Sequence, residues 1–265
     1  MKTFHRWWPA DLHLVGKDII TTHAVYWTTM LHAMDLPLPR TIYAHGWWLS
    51  SGEKMSKSKG NVQDPLEILE RSGPDPFRYF LLKEMTLGAD SVFTPDLFAA
   101  TYNADLANNI GNFLARTLAM TAKYCAGVVP ERPAEASAFA RAIEAEFLPA
   151  FAASLLAGRP QETLRLILSA ADHANRRIEE TKPWALAKTE EGRKSLPGIL
   201  YELCEFARIL SAACEPFLPG AVLQMRGMLG LPQAPGRLHW GELPPGTRIA
   251  PGAPLFPRLE VKSEK

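Results

Sequence analysis

Along the first ninety residues, short apolar runs alternate with stretches of helical spacing. Asp11 to Val15 reads as a buried strand, Ile19 to Met34 as a helix and Ile42 to Leu49 as a second strand. That order predicts a parallel crossover, and hence an α/β layer. Two short helices follow with clear start signals. Asp64-Pro65 with Glu67 supplies an N-cap, a first-turn proline and a capping acid, and Gly73 a stop; Asp75-Pro76 opens the next helix, which runs toward Gly88. From Thr94-Pro95 the period changes. Helical spacing covers 96–124, 134–156, 161–180, 194–214 and 219–229, which reads as an antiparallel bundle. Beyond Gly230 the chain is rich in Pro and Gly and reads as an extended surface arm. The expected domains are therefore 1–93 (α/β), 94–232 (all-α) and 233–265 (arm).

Composition narrows the class. The 265 residues suit one large or two ordinary domains, and 47% hydrophobic with 22% charged residues argues against wholesale disorder. Lys plus Arg is 29 against 28 for Asp plus Glu, so any nucleic-acid contact must use local patches rather than a polybasic surface. Three cysteines without a CxxC pair fit neither a disulfide framework nor a four-thiolate zinc site, and suit a reducing cytoplasm. The N-terminus has no signal-peptide h-region, and the apolar stretch from Leu200 to Leu223 is broken by Glu202, Glu205, Arg208, Glu215 and Pro216. It reads as a buried helix rather than a membrane span.

The densest candidate chemistry lies in Ser50-Ser51-Gly52-Glu53-Lys54-Met55-Ser56-Lys57-Ser58-Lys59-Gly60-Asn61. Glycines loosen the backbone, lysines bring point charges to a polyphosphate, and serine hydroxyls add hydrogen bonds. Phosphoryl transfer needs such charge as the leaving group departs. A lysine-rich loop is ordinarily just solvated surface, so charge alone decides nothing. Upstream, Gly16 and Asp18 sit where a strand gives way to a helix. Glycine allows close backbone approach and the carboxylate suits ribose hydroxyls, although a plain N-cap fits equally well. Ile19, His23 and Trp27 recur every four residues on one helix face, which could line a pocket for a small apolar ligand; such a face is more often core. On the first bundle helix, Asn108, Asn112 and Arg116 form a polar stripe opposite Ile110, Phe113 and Leu114, and Trp184 follows Lys182-Pro183. Arg and Asn suit base edges and tryptophan suits a splayed base, although a polar stripe is usually a solvated face.

Five strings carry a family resemblance. Lys54-Met55-Ser56-Lys57-Ser58 resembles the signature loop of class I aminoacyl-tRNA synthetases. Gly16-Lys17-Asp18-Ile19 with His23 and Trp27 is similar to methionyl-tRNA synthetases, as are the stretch Ala104 to Arg116, Lys182-Pro183-Trp184 and the run Ile249 to Arg258. The resemblance implies the second half of a Rossmann-like catalytic domain followed by an anticodon-binding bundle. It implies a methionine–tRNA ligase that forms methionyl-adenylate from L-methionine and ATP, with Mg2+, and charges tRNA(Met). Lys54 and Lys57 would stabilise pyrophosphate. Gly16, Asp18, Met55, Ser56 and Ser58 would complete the ATP site, and Ile19, His23 and Trp27 the methionine pocket. Asn112, Arg116 and Trp184 would read the CAU anticodon. No protein-bound metal is implied. The family's second phosphate motif, His-x-Gly-His, is absent from this sequence. The expectation is therefore an enzyme half that needs a separate chain or upstream segment, with a non-catalytic tRNA-binding module as the alternative.

Overall fold

The computed structural model describes residues 2–50, 52–54, 64–234 and 236–260. They form two compact units, one of residues 1–64 with 84–94 and one of residues 65–83 with 95–265. The capped helices Pro65–Ser72 and Pro74–Glu84, read from the sequence as part of the first domain, thus fall almost wholly within the second unit.

In the first unit, β1 (His13–Gly16) pairs in parallel with β2 (Ile42–His45), with His13 opposite Ile42 and Gly16 opposite His45. The crossover between them is helical but irregular. A tight 3-10 turn spans Lys17–Ile19, a wide π turn spans Thr22–Trp27, and a regular α-helix spans Thr28–Ala33. Leu31, 1% exposed, anchors its end.

The run Ile42 to Leu49 is not one strand, as its pattern predicts. It divides into β2 and β3 (Trp48–Ser50), which belong to different sheets. Gly46 causes the break. It packs so closely on the Ala89 backbone that a β-carbon there would lie 1.8 Å from the Ala89 carbonyl oxygen. Beyond the break, β3 pairs in parallel with β5 (Ser91–Phe93) and antiparallel with β4 (Glu53–Lys54). Gly52, at φ +83°, makes the β3–β4 turn, a conformation that costs a β-carbon-bearing residue about 1–2 kcal/mol.

The second unit is helical. Its helices are the capped pair, 95–124, 138–156, Pro160–Thr181, the short Pro183–Leu186, Glu190–Cys214 and Pro219–Met228. The 25-residue helix Glu190–Cys214 is buried on every side from Leu200 to Cys214, so it forms the axis of the core. Phe206 lies at the centre, with Phe113, Phe139 and Phe147 rings at 5.3, 5.6 and 6.4 Å. Each such buried side chain contributes about 1.5–3 kcal/mol.

Charges inside this core are matched. Glu202 receives Arg177 at 2.5 Å, and Glu205 receives Arg208 at 2.7 Å. The tail is extended, but it is more than a surface arm. Trp240, Leu243, Ile249 and Phe256 bury their side chains in the same core. Glu205 accepts the backbone N–H groups of Gly241, Glu242 and Leu243, and Tyr102 donates its hydroxyl to the Pro257 carbonyl. No helix among the described residues is long and apolar enough to cross a membrane.

Candidate functional site

In the first unit, the crossover helix and β1 together line an open cavity of about 380 Å3. Its walls are His13, Thr22, His23, Tyr26, Trp27 and Met30. Of the three residues picked out by four-residue spacing, His23 and Trp27 line it. Ile19 does not; its side chain is 41% exposed, and only its carbonyl serves the site, accepting the His23 Nδ1–H at 3.0 Å. The reason is local. Ile19 ends a tight turn and His23 lies in a wide one, so the 3.6-residue period that would align them is broken. A carbonyl only accepts, so this bond assigns His23 the Nδ1–H tautomer and leaves Nε2 as an acceptor while the ring is neutral.

His13 was missed by sequence reasoning. Its Nε2 accepts the Trp27 indole N–H at 3.3 Å, and its ring meets His23 edge-on at 6.1 Å. Strand alternation was the available signal, because His13 shares a face of β1 with buried Val15.

At the C-terminal end of β1, the missing side chain of Gly16 leaves room for Asp18. A β-carbon at Gly16 would lie 2.5 Å from Asp18 Oδ1. A carboxylate beside bare backbone at the carboxyl end of a parallel strand can accept sugar hydroxyls while a ligand lies close. Lys17, between them, is already engaged. It pairs with Asp90 at 2.6 Å and lies 4.4 Å from the centre of the Trp47 ring. Asp90 also accepts the Trp47 backbone N–H at 2.8 Å. The Lys17 hydrogen bond first, and this backbone bond second, hold the Asp90 carboxyl below its ordinary range. Lys17 therefore staples β1 to the 85–90 loop.

Lys54 ends β4, at the entrance to the lysine loop. Met55, Ser56, Lys57 and Ser58, singled out for the ATP site, lie outside the described residues. No group of three or more His, Cys, Asp or Glu side chains among the described residues could hold a metal ion.

In the second unit, helix packing brings together residues far apart in sequence. The Arg116 guanidinium lies 5.8 Å from the centre of the Trp184 ring and pairs with Glu179 at 2.6 Å. One turn earlier, Asn112 donates to Asn175 Oδ1 at 3.3 Å. Asn108 is occupied elsewhere, its Oδ1 accepting two N–H groups of Arg258 at 2.8 and 3.1 Å. Trp184 stays 38% exposed because Lys182, left-handed at φ 44°, ends the preceding helix and Pro183 opens a new one. An arginine beside a partly open indole is a platform on which a flat base can stack.

Residues 1–118 match a family model described as tRNA synthetases class I (M). Methionine–tRNA ligase 1 of Bacillus cereus is 41% identical across 98% of this chain and 41% of that protein. The methionine–tRNA ligase of Halalkalibacterium halodurans is 39% identical over the same shares. Among solved structures, Mycobacterium tuberculosis methionyl-tRNA synthetase in complex with methionyl-adenylate superposes with a TM-score of 0.89 at 37% identity, covering 97% of this chain and 52% of that one. Its apo form gives 0.87 at 33% identity, over 98% and 52%. The chain thus spans about two fifths of the length of these curated relatives. On these matches, which run through both the glycine–aspartate turn and the Arg116–Trp184 pair, the chain belongs to the methionyl-tRNA synthetase family of class I tRNA synthetases.

Proposed function

We propose that this chain forms part of a methionine–tRNA ligase of the cytoplasm. The observation that carries this reading is the convergence of His23 and Trp27 on one cavity, a turn away from Gly16 and Asp18, in a chain of this family. In the first step, a methionine carboxylate oxygen attacks the α-phosphorus of ATP. A new P–O bond forms, the α–β anhydride bond breaks, and pyrophosphate leaves. In the second step, a terminal ribose hydroxyl of tRNA(Met) attacks the activated carbonyl, and AMP leaves.

Trp27 and His23 hold the methionine side chain, whose polarizable thioether packs well on an aromatic ring, and the Ile19 carbonyl orients the His23 ring. Gly16 and Asp18 hold the nucleoside. Lys54 and Lys57 meet the charge that builds on pyrophosphate, with Met55, Ser56 and Ser58 shaping the loop around the phosphates. Mg2+ would arrive on the ATP phosphates, whose charge it neutralises. Asn112, Arg116 and Trp184 read the anticodon.

The sequence has no His-x-Gly-His, so half of the phosphate site must come from another chain or segment. Methionine-dependent ATP–pyrophosphate exchange tests this. The 265-residue chain alone is expected to be inactive, and coexpression with a chain carrying His-x-Gly-His is expected to restore exchange. Activity of the chain alone would overturn the requirement; no activity after complementation would overturn the ligase assignment. The rival, a tRNA-binding module without catalysis, is favoured by the Arg116–Trp184 pair, which lies wholly in the helical unit. Base stacking on an aromatic is worth about 1–3 kcal/mol, so Trp184→Ala should weaken an anticodon stem-loop about 5- to 150-fold. Unchanged affinity would sink the anticodon assignment.

A further inference from the structure

Trp27 is the largest wall of the cavity, and it stands on the least regular part of the crossover, the wide turn Thr22–Trp27. Its ring orientation therefore needs support from outside the helix. Two supports are present. Trp8 meets the Trp27 ring edge-on at 5.9 Å, and Trp8 is itself tied through its indole N–H to the Pro37 carbonyl at 2.9 Å. The second is His13 Nε2, the acceptor of the Trp27 indole N–H. An indole nitrogen only donates, so this bond requires His13 to be neutral with its proton on Nδ1. His13 stands on β1, where its own backbone N–H is bound to the Thr41 carbonyl at 2.9 Å and the strand is in register with β2. A paired strand thus holds a polar acceptor against a ring that stands on a wide helical turn.

We propose that His13 is a positioning residue of the amino-acid cavity. Its Nε2 lone pair fixes the Trp27 ring, and so sets how tightly the cavity takes an unbranched thioether side chain. This rests on the methionine reading of the cavity, and the test separates the two. The Trp27 indole signal in a 1H–15N spectrum of the full 265-residue chain is identified by its loss in Trp27→Phe. His13→Phe keeps a ring but removes the acceptor, so the Trp27 N–H should shift upfield and exchange faster with water. His13→Gln restores an acceptor at similar reach and should bring the signal back toward wild type. Unmoved Trp184 and Trp240 indole signals show that the helical unit is intact, and an unmoved Trp47 signal shows the same of the sheet.

Titration with L-methionine reads the consequence. His13→Phe should need about 5-fold more methionine to move the Trp27 signal, the loss of one ordinary hydrogen bond, and His13→Gln should not. The proposal is overturned if His13→Phe leaves the Trp27 signal in place, if His13→Gln behaves like His13→Phe, or if methionine moves Trp27 equally well in all three chains. A wild-type Trp27 signal that ignores methionine while still depending on His13 would instead overturn the methionine reading and uphold the positioning role.

Discussion

Glu205→Gln should be among the most destabilising isosteric changes in the helical unit. Glu205 is fully buried. Its Oε1 accepts the N–H groups of Gly241 at 2.6 Å and Glu242 at 3.2 Å, together with one Arg208 nitrogen at 2.7 Å. Its Oε2 accepts Leu243 N–H at 2.9 Å and Arg208 Nε at 3.0 Å. Arg208 in turn donates to the carbonyls of Arg237 and His239. The pair thereby stitches the 237–243 segment onto the core helix. A glutamine keeps the shape but turns one oxygen into an N–H2, which must then face at least two donors. It also leaves the buried Arg208 guanidinium with only the longer ion pair to partly exposed Glu242, at 3.9 Å, as countercharge. Breaking a buried pair in this way costs about 3–5 kcal/mol, more than the orphaned backbone donors alone would suggest. For a unit of this size that lowers Tm by roughly 6–20 °C. Urea melts give the loss, and hydrogen exchange of amides 241–243 gives its location. Arg208→Met combined with Glu205→Gln should cost less than the two losses added together, since each alone strands the other. A loss below about 1 kcal/mol with amides 241–243 still protected would refute the hub.

Three further outcomes follow from the same kind of accounting. Gly46→Ala places a β-carbon 1.8 Å from the Ala89 carbonyl oxygen and should destabilise the first unit by more than about 2 kcal/mol. Gly52→Ala meets nothing among the described residues and should cost only about 1–2 kcal/mol for its positive φ; equal melts for the two would refute the close approach. Asp90 has a lowered pKa, so its contribution to stability is present above the ordinary carboxylate value and lost as pH falls through the lowered one. The gap in Tm between wild type and Asp90→Asn should therefore be open at pH 6 and close in the acid range below about pH 4; a gap that does not change with pH would refute the Lys17–Asp90 staple. Burial pushes the Cys204 and Cys214 thiols up to about 12, and raises that of half-buried Cys125. A thiol reagent at pH 8 should label Cys125 first and reach the other two only in denaturant, as measured by mass spectrometry.

What the sequence made legible, and what it did not, follows from the range of each interaction. Helices and their starts depend on neighbours a turn away, so Asp64-Pro65 and the long apolar periods from residue 95 point to elements the structure contains. The break at Gly46 depends on Ala89, forty-three residues later, and an apolar run read alone cannot contain it. The charges Glu202, Glu205 and Arg208 interrupt an apolar stretch and exclude a membrane span, yet their partners, Arg177 and the 237–243 segment, become visible only in three dimensions. The candidate site divides in the same way. Asn112, Arg116 and Trp184 are residue types suited to bases, but only the packing of two helices puts the guanidinium over the indole. Spacing suggested Ile19, His23 and Trp27 as a set of three. The structure keeps His23 and Trp27, loses the Ile19 side chain to a change of helical pitch, and adds His13 from the neighbouring strand. A periodic face therefore reports a pocket only as far as the helix stays regular, and the residue that orients the pocket's largest wall lies off that helix altogether.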